Sequence, residues 1–138
     1  MRTILLLSSC LLIHSLIAQN KQLEWVNTFG GNQFDRTSSL VVDALGNVYC
    51  AGIFSDSVDF NTSGTPVVLK ANNSQDLFLL KHDQNGNLLW AKSIGSKGVE
   101  KNIHISLDGL GNLVVVGVFS DTINLDLNGG AQHLIASG

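Results

Sequence analysis

The residues of this chain that could do chemistry are mainly acidic, and they form two small groups. Carboxylate and amide oxygens that are close in sequence can bind calcium, which takes about six to eight oxygen ligands. No D-x-D-x-D-G loop is present, so the sequence favours capping of turns by these side chains. We expect no cofactor, with calcium as the only alternative. The two groups are Asp56, Asp59 and Asn61, and Asp121, Asn124 and Asp126.

No other set of side chains indicates a catalytic or metal site. His82, His104 and His133 share no metal-ligand spacing with one another or with Cys50. No G-x-S-x-G motif supports a serine nucleophile. Cys50 is either a small buried apolar residue, which the sequence favours, or a reactive thiol. We therefore predict no catalytic, cofactor-binding or metal-binding residue.

Two tryptophans occupy equivalent positions in an internal repeat of the chain. Trp25 and Trp90 are 65 residues apart, and they could form a sugar platform or, as we expect, pack within a sheet. At the same offset, residues 23–73 align with residues 88–138 without a gap, and 14 of the 51 pairs are identical. A chain built of copies buries its core between them.

A recurring D-x-x-G-N pattern predicts the turns of this repeat. The aspartate can accept hydrogen bonds from backbone N–H groups ahead of it, and the glycine supplies a positive φ. Each pattern therefore predicts a hairpin of two antiparallel strands. We identify nine structural turn residues: Asp43, Gly46, Asn47, Asp83, Gly86, Asn87, Asp108, Gly111 and Asn112.

Short apolar runs between these turns predict an all-β fold. Four main strands fall in each 65-residue copy, as in the antiparallel blade of a β-propeller. An open solenoid or a sandwich is the alternative. The main predicted strands are residues 23–29, 39–43, 47–54, 76–83, 87–94, 104–108 and 112–119, and the weaker ones are residues 57–60, 66–69 and 122–125.

The N-terminus predicts export. Arg2 precedes an apolar run over residues 4–17, and Ala18 suits cleavage, so residues 1–18 resemble a signal peptide. A lipoprotein signal ending at Cys10 is the alternative. Residues 19–138 would then form an incomplete propeller region, with copy 1 at about 23–87 and copy 2 at about 88–138.

The composition limits the partners. Residues 1–18 contain one basic residue and no acidic one, so seven basic and eleven acidic residues remain and the formal charge is 7 − 11 = −4. No basic stripe is present, so we expect no nucleic acid. The apolar run over residues 4–17 is interrupted and shorter than the about 20 apolar residues of a membrane span, so we expect no such span. A protein or a glycan at the cell surface is the partner we consider, and the expected location is extracellular or on the outer cell surface.

Several blocks in order resemble the SBBP (beta-propeller) repeats of bacterial proteins. The blocks are residues 25–31, 42–54, 58–60, 76–90 and 111–119. The resemblance implies a secreted protein of the kind found in gliding or surface-adhering bacteria of the Bacteroidetes type, and it implies no catalytic residue.

The sequence thus predicts one and a half blades preceded by a closing strand at residues 23–29. We expect that strand to lie at an edge, poorly paired, or to be borrowed by the second copy. The expected function is a non-enzymatic module that presents loops for binding or adhesion. The alternative is the propeller part of a larger secreted enzyme whose catalytic residues lie elsewhere.

Overall fold

The computed structural model describes residues 22–72, 74–98 and 100–137, and these residues contain β-strands and no helix. The signal-peptide prediction falls outside them. The strands are β1 (Arg36–Val42), β2 (Val48–Phe54), β3 (Ser57–Asp59), β4 (Val68–Lys70), β5 (Asp76–His82), β6 (Leu88–Ile94), β7 (Lys101–Leu107), β8 (Leu113–Val118), β9 (Thr122–Asn124) and β10 (His133–Ile135).

Four strands form the largest sheet, which we call the core sheet. Its order is β1-β2-β5-β6, every pair is antiparallel, and the strands therefore lie in chain order, as the sequence predicts. In the central pair, Val48 is opposite His82 and Phe54 is opposite Asp76. The all-β prediction is confirmed.

The core sheet has two apolar faces. Successive side chains along each strand point to opposite faces, and apolar side chains point to both. Face A carries Ala51, Ile53 and Leu79 and contacts the second copy through Ile103 and Ile105. Face B carries three large buried side chains that pack against Val58, Phe60 and Phe29 from the flanking segments. These three side chains are Phe54, Phe78 and Leu80. Strands that are buried on both faces of a sheet have almost continuously apolar sequences, which explains the run Leu77–Leu80.

The second copy repeats the first at the strand level. Adding 65 to the bounds of β1, β3 and β4 gives those of β7, β9 and β10, and β8 is one residue shorter than β2. The hairpin β3–β4 lies between β2 and β5, and β9–β10 follows β8 in the same way. Strand β10 was not predicted. Its run His133–Ile135 is too short to stand out, but the equivalent strand β4 could have indicated it.

One predicted strand is wrong. Residues 23–29 form no strand, and they are neither an edge strand nor paired with β7–β8. The segment instead lies against the core sheet through its side chains. Asn27 Nδ2 donates to Gly86 O at 2.6 Å, and the Phe29 ring lies 5.4 Å from that of Phe78. A strand needs a neighbouring backbone, and among the described residues none is paired with this segment.

The two copies meet along their first strands. Strand β7 packs against β1 and β2. Ser39 Oγ accepts a hydrogen bond from Ile105 N at 3.2 Å and lies 3.4 Å from Ile105 O. The side of β7 that bears Ile103 and Ile105 covers face A, so the second copy presents its own equivalent of face B to the first copy.

Candidate functional site

The three D-x-x-G-N segments share one geometry. Asp43 Oδ1 accepts from the backbone N–H groups of Leu45 and Asn47, each at 2.9 Å, and its Oδ2 accepts from Asn47 Nδ2 at 2.7 Å. The segments at residues 83–87 and 108–112 repeat all three bonds at 2.8–2.9 Å. The glycines have the positive φ that the pattern predicts: 82° at Gly46, 84° at Gly86 and 83° at Gly111.

The hydrogen bonds lower the pKa of each turn aspartate. The main cause is the side-chain bond from the final asparagine of each turn, Asn47, Asn87 or Asn112. A bond to the ionised form favours that form, so each of the three carboxyls ionises at lower pH than an ordinary aspartate. This role of the asparagine side chain was not anticipated from the sequence.

The turn tips carry two exposed leucines. Leu45 and Leu110 occupy the same repeat position, and their side chains are 78% and 90% exposed. Large apolar side chains on a hydrogen-bonded turn are well placed to contact a partner, because little entropy is lost when a rigid loop binds. Their side chains carry no reactive group and were not predicted to form a site, although their shared repeat position is visible in the sequence.

The turn at residues 83–87 differs from the other two because it is partly covered. The indole N–H of Trp25 donates to Gln84 O at 3.0 Å, and its ring lies 5.8 Å from that of His82. A Cβ at Gly86 would lie 2.7 Å from Trp25 Cδ2. Trp90 instead packs on face A, with its ring 6.2 Å from that of Tyr49. Both tryptophans therefore pack, which supports the packing interpretation over a sugar platform.

The acidic groups that could have bound calcium act within loops. Asp59 Oδ1 accepts from Asn61 N at 3.0 Å and from Val67 N at 2.9 Å. Asn124, one repeat later, makes the equivalent two bonds with its amide oxygen. In the described ranges no three His, Cys, Asp or Glu residues come together as a metal site. The expectation that no cofactor binds stays a prediction.

Asp56 and Asp121 are a second equivalent pair, and both adopt positive φ, 57° and 68°. Each carbonyl closes its loop by accepting from a backbone N–H, that of Ala71 at 2.7 Å and that of Ala136 at 2.8 Å. Aspartate tolerates this left-handed backbone better than most residues. The two residues thus hold the small hairpins β3–β4 and β9–β10 in place.

The remaining candidates, one cysteine and three histidines, do not form a site. Cys50 packs at the margin of the face B cluster, and burial raises the pKa of its thiol, which makes it a poor nucleophile. His82 is buried, and burial lowers its pKa. His104 and His133 are exposed on β7 and β10. The structure brings none of these residues together.

Sequence reasoning missed one polar feature. Asp76 and Glu100 are both 0% exposed, although acidic residues are almost never buried without a partner. Asp76 begins β5, and Glu100 precedes β7. Isolated acidic residues beside polar loops carry no sequence signal that they will be buried, so only the tertiary structure reveals them.

Comparison with known proteins gives one distant likeness. The chain is 23% identical over 120 residues to an uncharacterized WD repeat-containing protein of Acanthamoeba polyphaga mimivirus. The alignment covers 77% of this chain but spans only 9% of that protein's length. No family model and no solved structure matches the chain. The likeness suggests a β-propeller-like repeat. Within the described residues no helix is long and apolar enough to cross a membrane.

Proposed function

We propose that this chain is a secreted, non-enzymatic β-propeller repeat module of the bacterial SBBP type that presents rigid turns for binding or adhesion at the cell surface. The proposal rests on the 65-residue structural repeat, the distant likeness to a WD repeat protein and the export signal in the sequence. The observation that carries the binding role is the exposure of equivalent residues in the two copies.

Equivalent residues that are buried in one copy and exposed in the other mark the faces through which units stack. Ala51 on face A is 0% exposed because the second copy covers it, whereas its equivalent Val116 is 65% exposed. In the opposite direction, Leu40 is 57% exposed and its equivalent Ile105 is 7% exposed. The first copy thus uses face A toward the second, and the second uses its equivalent of face B toward the first, an arrangement that supports the proposed head-to-tail stacking of blades.

Residues that stay exposed in both copies mark the surface that stacking leaves free. Leu45 and Leu110 meet this criterion, and they lie at the same end of their respective hairpins. Stacked units would place such turns side by side along one rim. An apolar side chain flanked by a charged aspartate and an asparagine suits a protein or glycan surface.

An apolar cavity of 320 Å³ next to β8 supports the stacking model. It lies between Leu77 and Leu79 of the core sheet and Gly117 of β8. In the first copy the space over the equivalent Gly52 is filled, since a Cβ there would lie 2.7 Å from the Phe78 ring. We infer that a β5-type strand next to β8 would fill this cavity with its equivalent of Phe78.

The stacking model can be tested by adding residues 74–94 of this chain after residue 138, which continues the 65-residue register. We expect the added hairpin to pair with β8 and to slow amide hydrogen exchange in Leu113–Val118. The control carries the same addition with Asp in place of its phenylalanine equivalent to Phe78. Equal exchange in β8 with and without the added hairpin would contradict the model.

The binding role is tested with the full chain on a panel of immobilised polysaccharides and extracellular-matrix proteins. We expect retention on at least one surface, and we expect the double substitution Leu45→Ser and Leu110→Ser to weaken it about tenfold or more, as for an interface anchor worth above about 1.4 kcal/mol. Val68→Ser is the control, because Val68 is exposed on β4, in the connection from β2 to β5 and not in a D-x-x-G-N turn. Retention that the double substitution leaves unchanged would contradict this role.

A further inference from the structure

The chain carries two exposed apolar surfaces that correspond to the two sides of a contact it already makes. Within the chain, face A of the core sheet packs against the side of β7 that bears Ile103 and Ile105. We call this contact the internal interface. Because the strands of the second copy repeat those of the first, each side of the internal interface has an equivalent in the other copy. Both equivalents are open to solvent.

The first exposed surface, which we call the β8 face, is the equivalent of face A in the second copy. It consists of alternate residues of one strand, which point to the same side of a sheet. These residues are Val114, Val116 and Val118, and they are between 44% and 65% exposed. Their equivalents on face A are buried under the second copy: Tyr49, Ala51 and Ile53. The β8 face is therefore a face A surface without its cover.

The second exposed surface, which we call the β1 face, consists of Leu40 and Val42. Leu40 lies opposite Cys50, which packs against the face B cluster, so the β1 face is on the face B side of the core sheet. Leu40 and Val42 are 57% and 54% exposed. Ile105, the equivalent of Leu40, is buried on face A. The β1 face is thus the kind of surface that already covers face A.

We propose that full chains associate head to tail, with the β1 face of one chain packed on the β8 face of the next as β7 packs on face A. The partner of the β8 face is therefore a second copy of this chain. Both surfaces are aliphatic, and their contact removes apolar area from water. The two surfaces differ, so the contact is heterologous and can be repeated from chain to chain. This association goes beyond the proposed binding role, because it does not use the turn tips.

One polar contact of the internal interface is not repeated between chains. Ser39 Oγ accepts a hydrogen bond from Ile105 N at 3.2 Å in the internal interface. Between chains, His104 takes the position of Ser39, and Leu40 takes that of Ile105. The hydroxyl is therefore missing, and we expect an association that depends on concentration and not a permanent oligomer.

The test uses the full chain with one lysine placed in either surface. Val116→Lys charges the β8 face, and Leu40→Lys charges the β1 face. Analytical ultracentrifugation across a concentration series measures association. We expect dimers and larger species of the unmodified chain, and an association constant at least about tenfold lower for each variant alone, as for the loss of an apolar anchor in an interface.

A mixture of the two variants separates a head-to-tail contact from a symmetric one. The Val116→Lys chain keeps its β1 face, and the Leu40→Lys chain keeps its β8 face. An equimolar mixture should therefore form a dimer and nothing larger, because only one intact pair of surfaces is available. Val118→Lys and Val42→Lys repeat the experiment at second positions of the same surfaces where a first variant fails to fold.

Val68→Lys is the matched control, because Val68 is exposed on β4 and belongs to neither surface. This variant should associate like the unmodified chain. Three outcomes would overturn the proposal: a monomer at every concentration, a Leu40→Lys chain that associates normally, which would indicate pairing of β8 with β8, or a mixture that stays monomeric. Leu45→Ser with Leu110→Ser should keep the association, so its failure and that of the binding role are distinguishable.

Discussion

At the scale of the residue, Asp43, Asp83 and Asp108 show how one side chain sets the geometry of a turn. Each carboxylate accepts three hydrogen bonds from residues two and four positions ahead. The bonds satisfy backbone N–H groups that a tight turn leaves without a strand partner. The turn therefore keeps the same form whether it is covered by Trp25 or lies free in solvent.

Replacing the turn glycines by valine should destabilise the fold by more than about 1 kcal/mol each, because a β-branched residue is strained at positive φ. Gly86→Val should cost more than Gly111→Val, since a side chain at position 86 also meets Trp25, whereas nothing lies near position 111. Urea unfolding measures the difference. Gly109→Ala in the same turn should have little effect. Silent Gly46→Val and Gly111→Val variants would contradict the turn assignment.

The pKa of Asp108 should rise toward its ordinary value when Asn112 is changed to Ala, because the amide of Asn112 is the main cause that lowers it. The folded pKa of this carboxyl lies below the unfolded one. Its contribution to stability is therefore present above the unfolded pKa and is lost as the pH falls through the folded pKa. Carboxyl ¹³C titration checks this. Asn128→Ala is the control, and an unchanged Asp108 titration in Asn112→Ala would show that the bond does not form in solution.

At the scale of the element, the small hairpin β3–β4 connects β2 with β5 and also contributes to the core of the first copy. Val58 is 1% exposed, and Phe60, which follows β3, packs with its ring 5.0 Å from that of Phe78. The connection over residues 55–75 is thus part of the packed structure, which a long loop without secondary structure could not provide.

Asp59→Ala should loosen β3–β4, because it removes the acceptor for two backbone N–H groups at the hairpin's end. We expect faster amide hydrogen exchange in Val68–Lys70 and a loss of stability of about 1 kcal/mol. The strands β1 and β2 should keep their exchange rates. Ser63→Ala, in the exposed tip of the same loop, is the control, and equal effects of the two substitutions would argue against the capping role.

At the scale of the whole molecule, the second copy leaves one apolar side of β8 exposed to water. Val114, Val116 and Val118 are all more than 40% exposed on one strand, and β8 has an unpaired edge among the described residues. An exposed apolar strand with a free edge is a template for pairing with another chain.

The full chain should consequently self-associate, and Val116→Lys should reduce that association by placing a charge in the centre of the exposed strand. Light scattering across a concentration series measures the effect. Val68→Lys is the control, because Val68 is also exposed but lies on the short strand β4. A monomer that melts sharply in dilute solution would contradict the expected self-association.

The sequence by itself determined the turns, the strands between them and the repeat. These features depend on local rules: D-x-x-G-N closes a turn through its own atoms, and apolar runs bounded by glycine and asparagine extend as strands. The bounds of β1 were harder to predict, because its polar start Arg36–Ser38 is a strand only through pairing with Gly52 and Ile53.

The tertiary structure alone decided which residues are paired and which surfaces are buried. Residues 23–29 resemble the strand Leu88–Ile94 in sequence, yet they form no strand because no neighbouring backbone pairs with them. Leu40 and Ile105 are similar in type but opposite in exposure, because only one of them faces another unit. The burial of Asp76 and Glu100 likewise depends on segments that pack over them only in the folded chain. Contacts between units depend on the relative placement of distant segments, which local patterns do not encode.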